Sequence, residues 1–183
     1  MSVTPIFLVA GGPAVGKSTT AAALAARFPK SVHIPVDAVR DMVVSGHALP
    51  GAVWSDELVQ QLAVARDSVA YMALAYRQAG FAVVIDDFWD PNSGLAEYAA
   101  LFSQPQTFKV LLYPSRGAAR ARNRQRSGPG AAADYIDEGI RLVYEHLDTV
   151  ASDLAAQGWW VLDTSEMAVE DVVSSVLARA GLK

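Results

Sequence analysis

An eight-residue, glycine-rich motif that ends in a lysine and a serine constrains the fold of this chain more than any other feature. Its residues are Gly11, Gly12, Pro13, Ala14, Val15, Gly16, Lys17 and Ser18. They fit the pattern G-x-x-x-x-G-K-[ST], with an apolar run at 5–10 before them and an alanine-rich stretch at 18–28 after them. Glycines let such a loop curl until its N–H groups point at a phosphate. The motif therefore predicts a strand, a phosphate loop and a helix.

The same motif predicts which residues bind a nucleoside triphosphate. The positive end of the following helix favours phosphate, Lys17 is placed to reach the β- and γ-phosphates, and the Ser18 hydroxyl is placed to bind Mg²⁺. We therefore expect the nucleotide-binding set to comprise the motif and Thr19, with Lys17 also catalytic. The alternative is a chance glycine loop in an α/β protein.

Strand-like and helix-like patterns alternate along the whole chain. The predicted strands are 5–10, 31–36, 81–85, 107–113 and 159–162. The predicted helices are 18–28, 55–79, 93–102, 116–126, 131–157 and 169–180. Such alternation predicts a parallel sheet with helices on both faces. With 183 residues, we expect a single domain over 1–183, with a short arginine-rich lid at about 116–131.

Composition excludes several classes of protein. Hydrophobic residues make up 52% and charged residues 19%, which excludes a disordered chain. The absence of cysteine excludes disulfides, thiolate zinc sites and cysteine nucleophiles. No apolar run is long enough for a membrane span, and the first apolar stretch lacks a basic leader, so we expect a cytoplasmic protein without a signal peptide. A net charge of −4 argues against nucleic acid as a partner.

Asp37 follows the second predicted strand and is the candidate base. Ligands of parallel sheets lie at the carboxyl ends of the strands, so Asp37 is expected beside the phosphate loop. There it can orient an acceptor hydroxyl and take its proton. Arg40, one helical turn later, is expected to hold acceptor or phosphate oxygens. The alternative is a helix-capping aspartate with a surface arginine.

Two adjacent acids, Asp86 and Asp87, follow the third predicted strand. An apolar strand that ends in an acid is typical of a carboxylate that supports Mg²⁺, often through water. We assign Asp86 to the metal and Asp87 to the acceptor pocket, with a turn-capping role as the alternative for Asp87. Trp54 is a candidate aromatic wall of that pocket, although such residues more often belong to the core or its rim.

Five arginines cluster between residues 116 and 126, before a Gly-Pro break. They are Arg116, Arg120, Arg122, Arg124 and Arg126. Arg122 and Arg126 are spaced i, i+4, so they lie on one face of the predicted helix. We expect Arg122 to stack on adenine and Arg126 to stabilise the transferring phosphoryl group. The other arginines fit a solvated basic face.

Taken together, these motifs resemble the P-loop kinases of nucleosides, nucleotides and small metabolites. The likeness is strongest to the chloramphenicol phosphotransferase family, and tunicamycin-resistance proteins are similar in phosphate loop and size. The resemblance rests on the phosphate loop, on Asp37 and on Asp86-Asp87. It implies a three-layer fold with five parallel strands in the order 2-3-1-4-5, ATP with Mg²⁺, and Asp37 as the base. It also implies that Arg122 and Arg126 contact the nucleotide.

Three functional classes remain open on the sequence. The first is an ATP-dependent kinase of a small molecule with a hydroxyl, such as an antibiotic or a metabolite. The second is a kinase of nucleosides, nucleotides or polynucleotide 5′ ends, and the third is a non-catalytic ATP-binding protein. Asp37 argues against the third class, since a pure switch has no use for a base that faces the γ-phosphate. The acidic surroundings of Asp37 argue against a polynucleotide.

Overall fold

A five-stranded, all-parallel sheet forms the centre of the molecule, in a computed structural model that describes residues 4–50 and 53–182. The strands are β1 (Ile6–Gly11), β2 (Ser31–Pro35), β3 (Ala82–Phe88), β4 (Thr107–Leu112) and β5 (Trp159–Leu162). Their order in the sheet is β2-β3-β1-β4-β5, which confirms the expected order 2-3-1-4-5. β1 pairs with β3 on one side and with β4 on the other, so the phosphate loop leaves the sheet between them.

Seven helices lie among the described residues. They are α1 (Lys17–Ala25), α2 (Val36–Arg40), α3 (Asp56–Gln78), α4 (Ala99–Phe102), α5 (Arg116–Ser127), α6 (Ala131–Ala156) and α7 (Val169–Arg179). A 3₁₀ turn, Ala96–Tyr98, leads into α4. Ser55 accepts a hydrogen bond from the Leu58 N–H and begins α3 as expected, and Ser115 begins α5 in the same way.

The sheet separates two hydrophobic cores, because alternate residues of each strand face opposite sides. In β1, Ile6 and Leu8 pack with α3 and α6, whereas Phe7 and Val9 pack with α1 and α7. β1 and β3 are buried on both faces, which explains their mainly apolar sequences. The result is the predicted three-layer arrangement of helices, sheet and helices.

Two predicted elements differ from the structure. β3 runs to Phe88, so Asp86 and Asp87 lie within the strand rather than after it, paired in register with Val9 and Ala10. The charged residues gave the appearance of a strand end, but the neighbouring strand still offers hydrogen-bond partners there. The helix predicted over 93–102 begins only with the 3₁₀ turn, because Asp90 and Ser93 accept local N–H groups in a turn instead.

No helix in the described part of the chain is long and apolar enough to cross a membrane.

Candidate active site

The phosphate loop connects β1 to α1 through backbone conformations that few residues adopt. Gly16 has φ = 96° and Ala14 has φ = 59°, both in the left-handed region. A Cβ on Gly16 would meet no atom within 4 Å, so the backbone conformation, and not a lack of space, favours glycine at this position. Gly16 is also the N-cap of α1, and a glycine has no side-chain oxygen that could cap the helix. The first amide groups of α1 are therefore left for an anion.

Lys17 begins α1 and folds back over the loop. Its Nζ donates a hydrogen bond to the Gly12 carbonyl at 2.9 Å. Burial lowers the pKa of Lys17, while the carboxylates of Asp37, Asp86 and Asp87 act to raise it, Asp37 most strongly. The predicted phosphate lysine and the three predicted acids are thus brought together in one electrostatic environment.

Asp86 lies behind the loop and is held on both carboxylate oxygens. Ser18 Oγ donates to Oδ1 at 2.8 Å, and His33 Nε2 is 2.5 Å from Oδ2. His33 comes from β2, next to β3 in the sheet. Sequence analysis did not select His33, because nothing in its own segment points to an acid 53 residues away.

The Ser18–Asp86 pair fits the Mg²⁺ role assigned to it. A hydroxyl and a carboxylate are hard oxygen donors of the kind this ion prefers. No group of three or more His, Asp or Glu side chains that could hold a metal occurs among the described residues.

Asp37 lies on α2, directly after β2, with 66% of its side chain exposed. Pro35 is the N-cap of α2 and Asp37 is its second residue, so the alternative of a capping aspartate is wrong. Arg40 Nη2 is 3.7 Å from Asp37 Oδ1. The short helix therefore presents an accessible carboxylate on the side of the sheet where Lys17 lies.

Asp87 points away from Asp86 into a buried ionic cluster. Its Oδ2 accepts hydrogen bonds from Arg66 Nε at 2.8 Å and from Tyr98 Oη at 3.1 Å. Burial raises the pKa of Asp87 to about 6, although Arg66 acts to lower it. The turn-capping alternative is wrong, since Asp90 Oδ1 accepts the turn amide of Asn92. The fold encloses the Asp87 carboxylate, and its assigned contact with the acceptor stays a prediction.

Arg66 is the second residue that sequence analysis missed. Its side chain has no exposed surface, and Nη1 donates to Asp90 and Glu97 at 2.8 Å each. One signal was available: Arg66 lies four residues after Leu62 and three before Val69, on the buried face of α3. A charged residue within an apolar helical stripe indicates buried partners.

Trp54 lies beside the ionic cluster around Arg66 and contacts Phe88, which packs against it. Its ring meets Phe88 edge to face, with centroids 5.9 Å apart. The guanidinium of Arg66 lies 5.1 Å from the centroid of the same Phe88 ring. Phe88 thus joins Trp54, the predicted wall residue, to the ionic cluster, whereas Trp89 is a core residue that donates to His146.

The two lid arginines have different surroundings. Arg122 donates to the backbone carbonyls of Val15, Thr164 and Ser165, at 3.2, 2.5 and 3.3 Å. It therefore links the phosphate loop to the segment after β5. Arg126 is exposed, and its charge acts on Lys17 to lower the lysine pKa. Arg122 thus contacts the loop directly, whereas Arg126 acts on Lys17 through its charge.

Comparison with protein families and solved structures identifies relatives of this architecture. A family model described as "AAA domain" (AAA_33) matches residues 6–142. No curated protein matches at a significant level.

Several solved structures share the fold over nearly the whole chain. The tunicamycin resistance protein of Deinococcus radiodurans is 18% identical, with a TM-score of 0.68 and coverage of 98% of this chain and 97% of that one. A gluconokinase from Sinorhizobium meliloti 1021 is 16% identical, with a TM-score of 0.66 and coverage of 99% and 94%. Shikimate kinase from Bacteroides thetaiotaomicron is 15% identical, with a TM-score of 0.63 and coverage of 97% and 99%. The fold is therefore that of P-loop kinases.

Proposed function

Because the chain belongs to the AAA_33 family of AAA domains, we propose that it is an ATP-dependent phosphotransferase that acts on a hydroxyl of a small molecule. The observation that carries this proposal is the position of Asp37. Its exposed carboxylate acts on Lys17 more strongly than any other charge does. A base facing the phosphate loop is what transfer to a hydroxyl requires and what simple ATP binding does not.

The phosphate loop and the start of α1 bind the triphosphate. Backbone N–H groups of Gly12 and of residues 14–19 donate to the phosphates, and Lys17 exchanges the Gly12 carbonyl for phosphate oxygens. Phosphate supplies the negative charge that offsets the cost of burying the ammonium group. Arg122 holds the loop against the segment after β5, and in this position its guanidinium lies beside adenine.

Ser18 and Asp86 hold Mg²⁺ when it is bound with the nucleotide. The ion supplies positive charge to the phosphate oxygens, as in other phosphoryl-transfer enzymes. The role of Asp86 is to orient the Ser18 hydroxyl, and His33 orients Asp86 in turn.

In the transfer step the acceptor oxygen bonds to the γ-phosphorus, and the bond from that phosphorus to the β,γ-bridging oxygen breaks. ADP leaves with the electron pair of the broken bond. The hydroxyl proton passes to Asp37, which Arg40 orients. Arg126, near Lys17, offsets the charge that develops on the transferring group.

The acceptor is a hydroxylated antibiotic or metabolite. Support comes from structural neighbours that are named as a tunicamycin resistance protein, a gluconokinase and a shikimate kinase. All three names point to small molecules. Use of ATP favours the cytoplasm as the place of action.

The test separates the base from the nucleotide site. ATP consumption is screened against panels of antibiotics, sugars and nucleosides, and the best acceptor is then used with Asp37→Asn. We expect unchanged ATP affinity by calorimetry and a loss of transfer of about 10²–10⁴-fold. Asp67→Asn, which changes an exposed carboxylate of α3, is the matched control and should keep transfer. Undiminished transfer by Asp37→Asn would refute the base role, and no acceptor in any panel would refute the function.

A further inference from the structure

The acceptor side of the site has many carboxylates and few cations. Its acids lie in the segments 37–41 and 86–97 and are Asp37, Asp41, Asp86, Asp87, Asp90 and Glu97. Two arginines, Arg40 and Arg66, lie among them. Whether either arginine is available to an acceptor decides what charge the acceptor can carry.

Arg66 is already neutralised by the protein. Three carboxylates, those of Asp87, Asp90 and Glu97, bond to its guanidinium at 2.8 Å, and Ser93 Oγ adds a weaker contact at 3.3 Å. With all groups ionised, three negative charges meet one positive charge. The cluster therefore keeps a negative excess, even with Asp87 protonated.

Arg40 faces the base rather than open solvent. Only 10% of its side chain is exposed, and its nearest carboxylate is that of Asp37. An acceptor anion would have to compete with Asp37 for this guanidinium and would lie close to its negative charge. Such repulsion between like charges a few ångströms apart weakens the binding of an anionic acceptor.

Within the two arginines and the acids around them, the buried polar atoms that lack a partner among the described residues are of both kinds. Two are donors, Arg40 Nε and Arg66 Nη2, and two are carboxylate oxygens, Asp87 Oδ1 and Glu97 Oε2. A hydroxyl both donates and accepts, so it can satisfy either kind. A carboxylate or phosphate only accepts, and it would leave the two acidic oxygens unpaired.

The cluster also holds an apolar surface in place. Phe88 lies against the Arg66 guanidinium and meets Trp54 edge to face. Aromatic rings bind flat or apolar faces of a ligand without requiring charge. Trp54 is only partly buried, so it can still contact a ligand.

We propose that Arg66 and its three carboxylates determine acceptor specificity, selecting hydroxyl compounds that carry no carboxylate or phosphate. This inference rests on the proposed phosphotransferase function and adds the class of acceptor to it. Arg66 acts as a positioning residue, because its fully buried guanidinium holds the acids and Phe88 in place.

Matched acceptor pairs test the selection. Each pair differs in one anionic group: gluconate and glucitol, shikimate and methyl shikimate, and a nucleoside 5′-monophosphate and its nucleoside. Transfer from ATP is measured as kcat/KM for every member. We expect the members without the anionic group to exceed their partners by about tenfold or more, as for one unfavourable charge contact.

The outcomes distinguish the inference from the function on which it rests. Transfer to the anionic members at an equal or higher kcat/KM overturns the inference and leaves the phosphotransferase proposal standing. No transfer to any member or to any acceptor of the panels, by protein that binds ATP, overturns both.

A charge variant tests the cluster itself on the best pair. Glu97→Gln removes one negative charge and leaves Arg66 bonded to Asp87 and Asp90. We expect the ratio of anionic to neutral kcat/KM to rise about fivefold. Glu138→Gln is the control, since this exposed glutamate on α6 pairs with Arg141 outside the cluster. With Tm close to that of the unmodified chain, an unchanged ratio in Glu97→Gln overturns the role of the cluster.

Discussion

Lys17 shows at the residue scale how burial and charge act on one functional group. Burial lowers its pKa, and three aspartates oppose that effect. Its hydrogen bond to Gly12 O is local and exchangeable, because a carbonyl of the loop is a weaker partner than a phosphate. Under the proposed function, the ammonium group is therefore available to an anion at the site where charge develops during transfer.

We expect Lys17→Ala to lower kcat by about 10²–10³-fold, since it removes a positioned charge from the transition state. Lys30→Ala is the matched control, because Lys30 is an exposed lysine that donates to the Ala79 carbonyl. Steady-state kinetics on the best acceptor give the comparison. Near-normal turnover by Lys17→Ala would contradict the assignment of this loop as the site of transfer.

His33 illustrates a residue that supports another. It contacts the metal-side carboxylate Asp86 and does not reach the loop by any hydrogen bond among the described residues. Partners of this kind orient a metal-binding group without touching the ion.

His33→Ala should raise the Mg²⁺ concentration for half-maximal activity by about 10–100-fold and leave kcat at saturating Mg²⁺ nearly unchanged. The physical reason is that Asp86, freed on one oxygen, holds Ser18 less firmly. A Mg²⁺ titration at saturating ATP measures the shift. His47→Ala is the control, as His47 lies near Asp41 instead. An unchanged midpoint would show that the His33 contact is only structural.

At the scale of elements, α5 is bonded to its surroundings in its middle and is exposed at its C-terminal end. Arg122 is tied to three backbone carbonyls, and Asn123, next to it, donates to Ala133 and Asp137 of α6. Arg126, one turn later, is exposed at the end that leads to Gly128 and Gly130. Most of the segment 116–131 predicted as a lid is therefore a helix that is bonded to α6 through Asn123 and to the phosphate loop through Arg122.

Arg126→Ala should lower kcat more than it raises the KM for ATP, because its contact with phosphate forms mainly in the transition state. Arg122→Ala should do the reverse and also lower Tm, since it leaves carbonyls of two loops unpaired. Arg120→Ala, an exposed arginine of the same helix, serves as the control. Small and equal effects of all three would indicate a solvated basic face.

At the scale of the whole molecule, charge limits the partners. The chain carries 15 basic and 19 acidic residues, and its main basic cluster lies on α5 over the nucleotide site. Several further cations near Asp37 would be needed to follow a polynucleotide backbone, yet that side is acidic.

We therefore expect no measurable binding of single-stranded DNA or RNA at physiological salt. A fluorescence titration with labelled oligonucleotides at low and moderate salt measures this, beside a kinase assay on 5′-hydroxyl ends. Each phosphate contact on a single strand would add about 0.7 to the salt slope. Salt-sensitive binding together with phosphorylated 5′ ends would favour a polynucleotide kinase instead.

The sequence by itself determined the phosphate loop, the alternation of strands and helices, and the parallel sheet. These features are local, since glycine conformations and apolar periodicity are legible within a few neighbouring residues. The strand order came from family resemblance, because periodicity counts strands and does not order them. The prediction that Asp37 belongs to the site followed from one rule, that ligand sites lie at the carboxyl ends of parallel strands.

Only the tertiary structure decided which partners the charged residues take. Asp86 meets His33 across 53 residues and Ser18 across 68, and Arg66 meets Glu97 across 31. Such contacts depend on which strands are adjacent and how α3 packs on the sheet, and no local pattern contains that information. For the same reason the sequence suggested that β3 ended at its acids, whereas pairing with β1 carries the strand through both acids to Phe88.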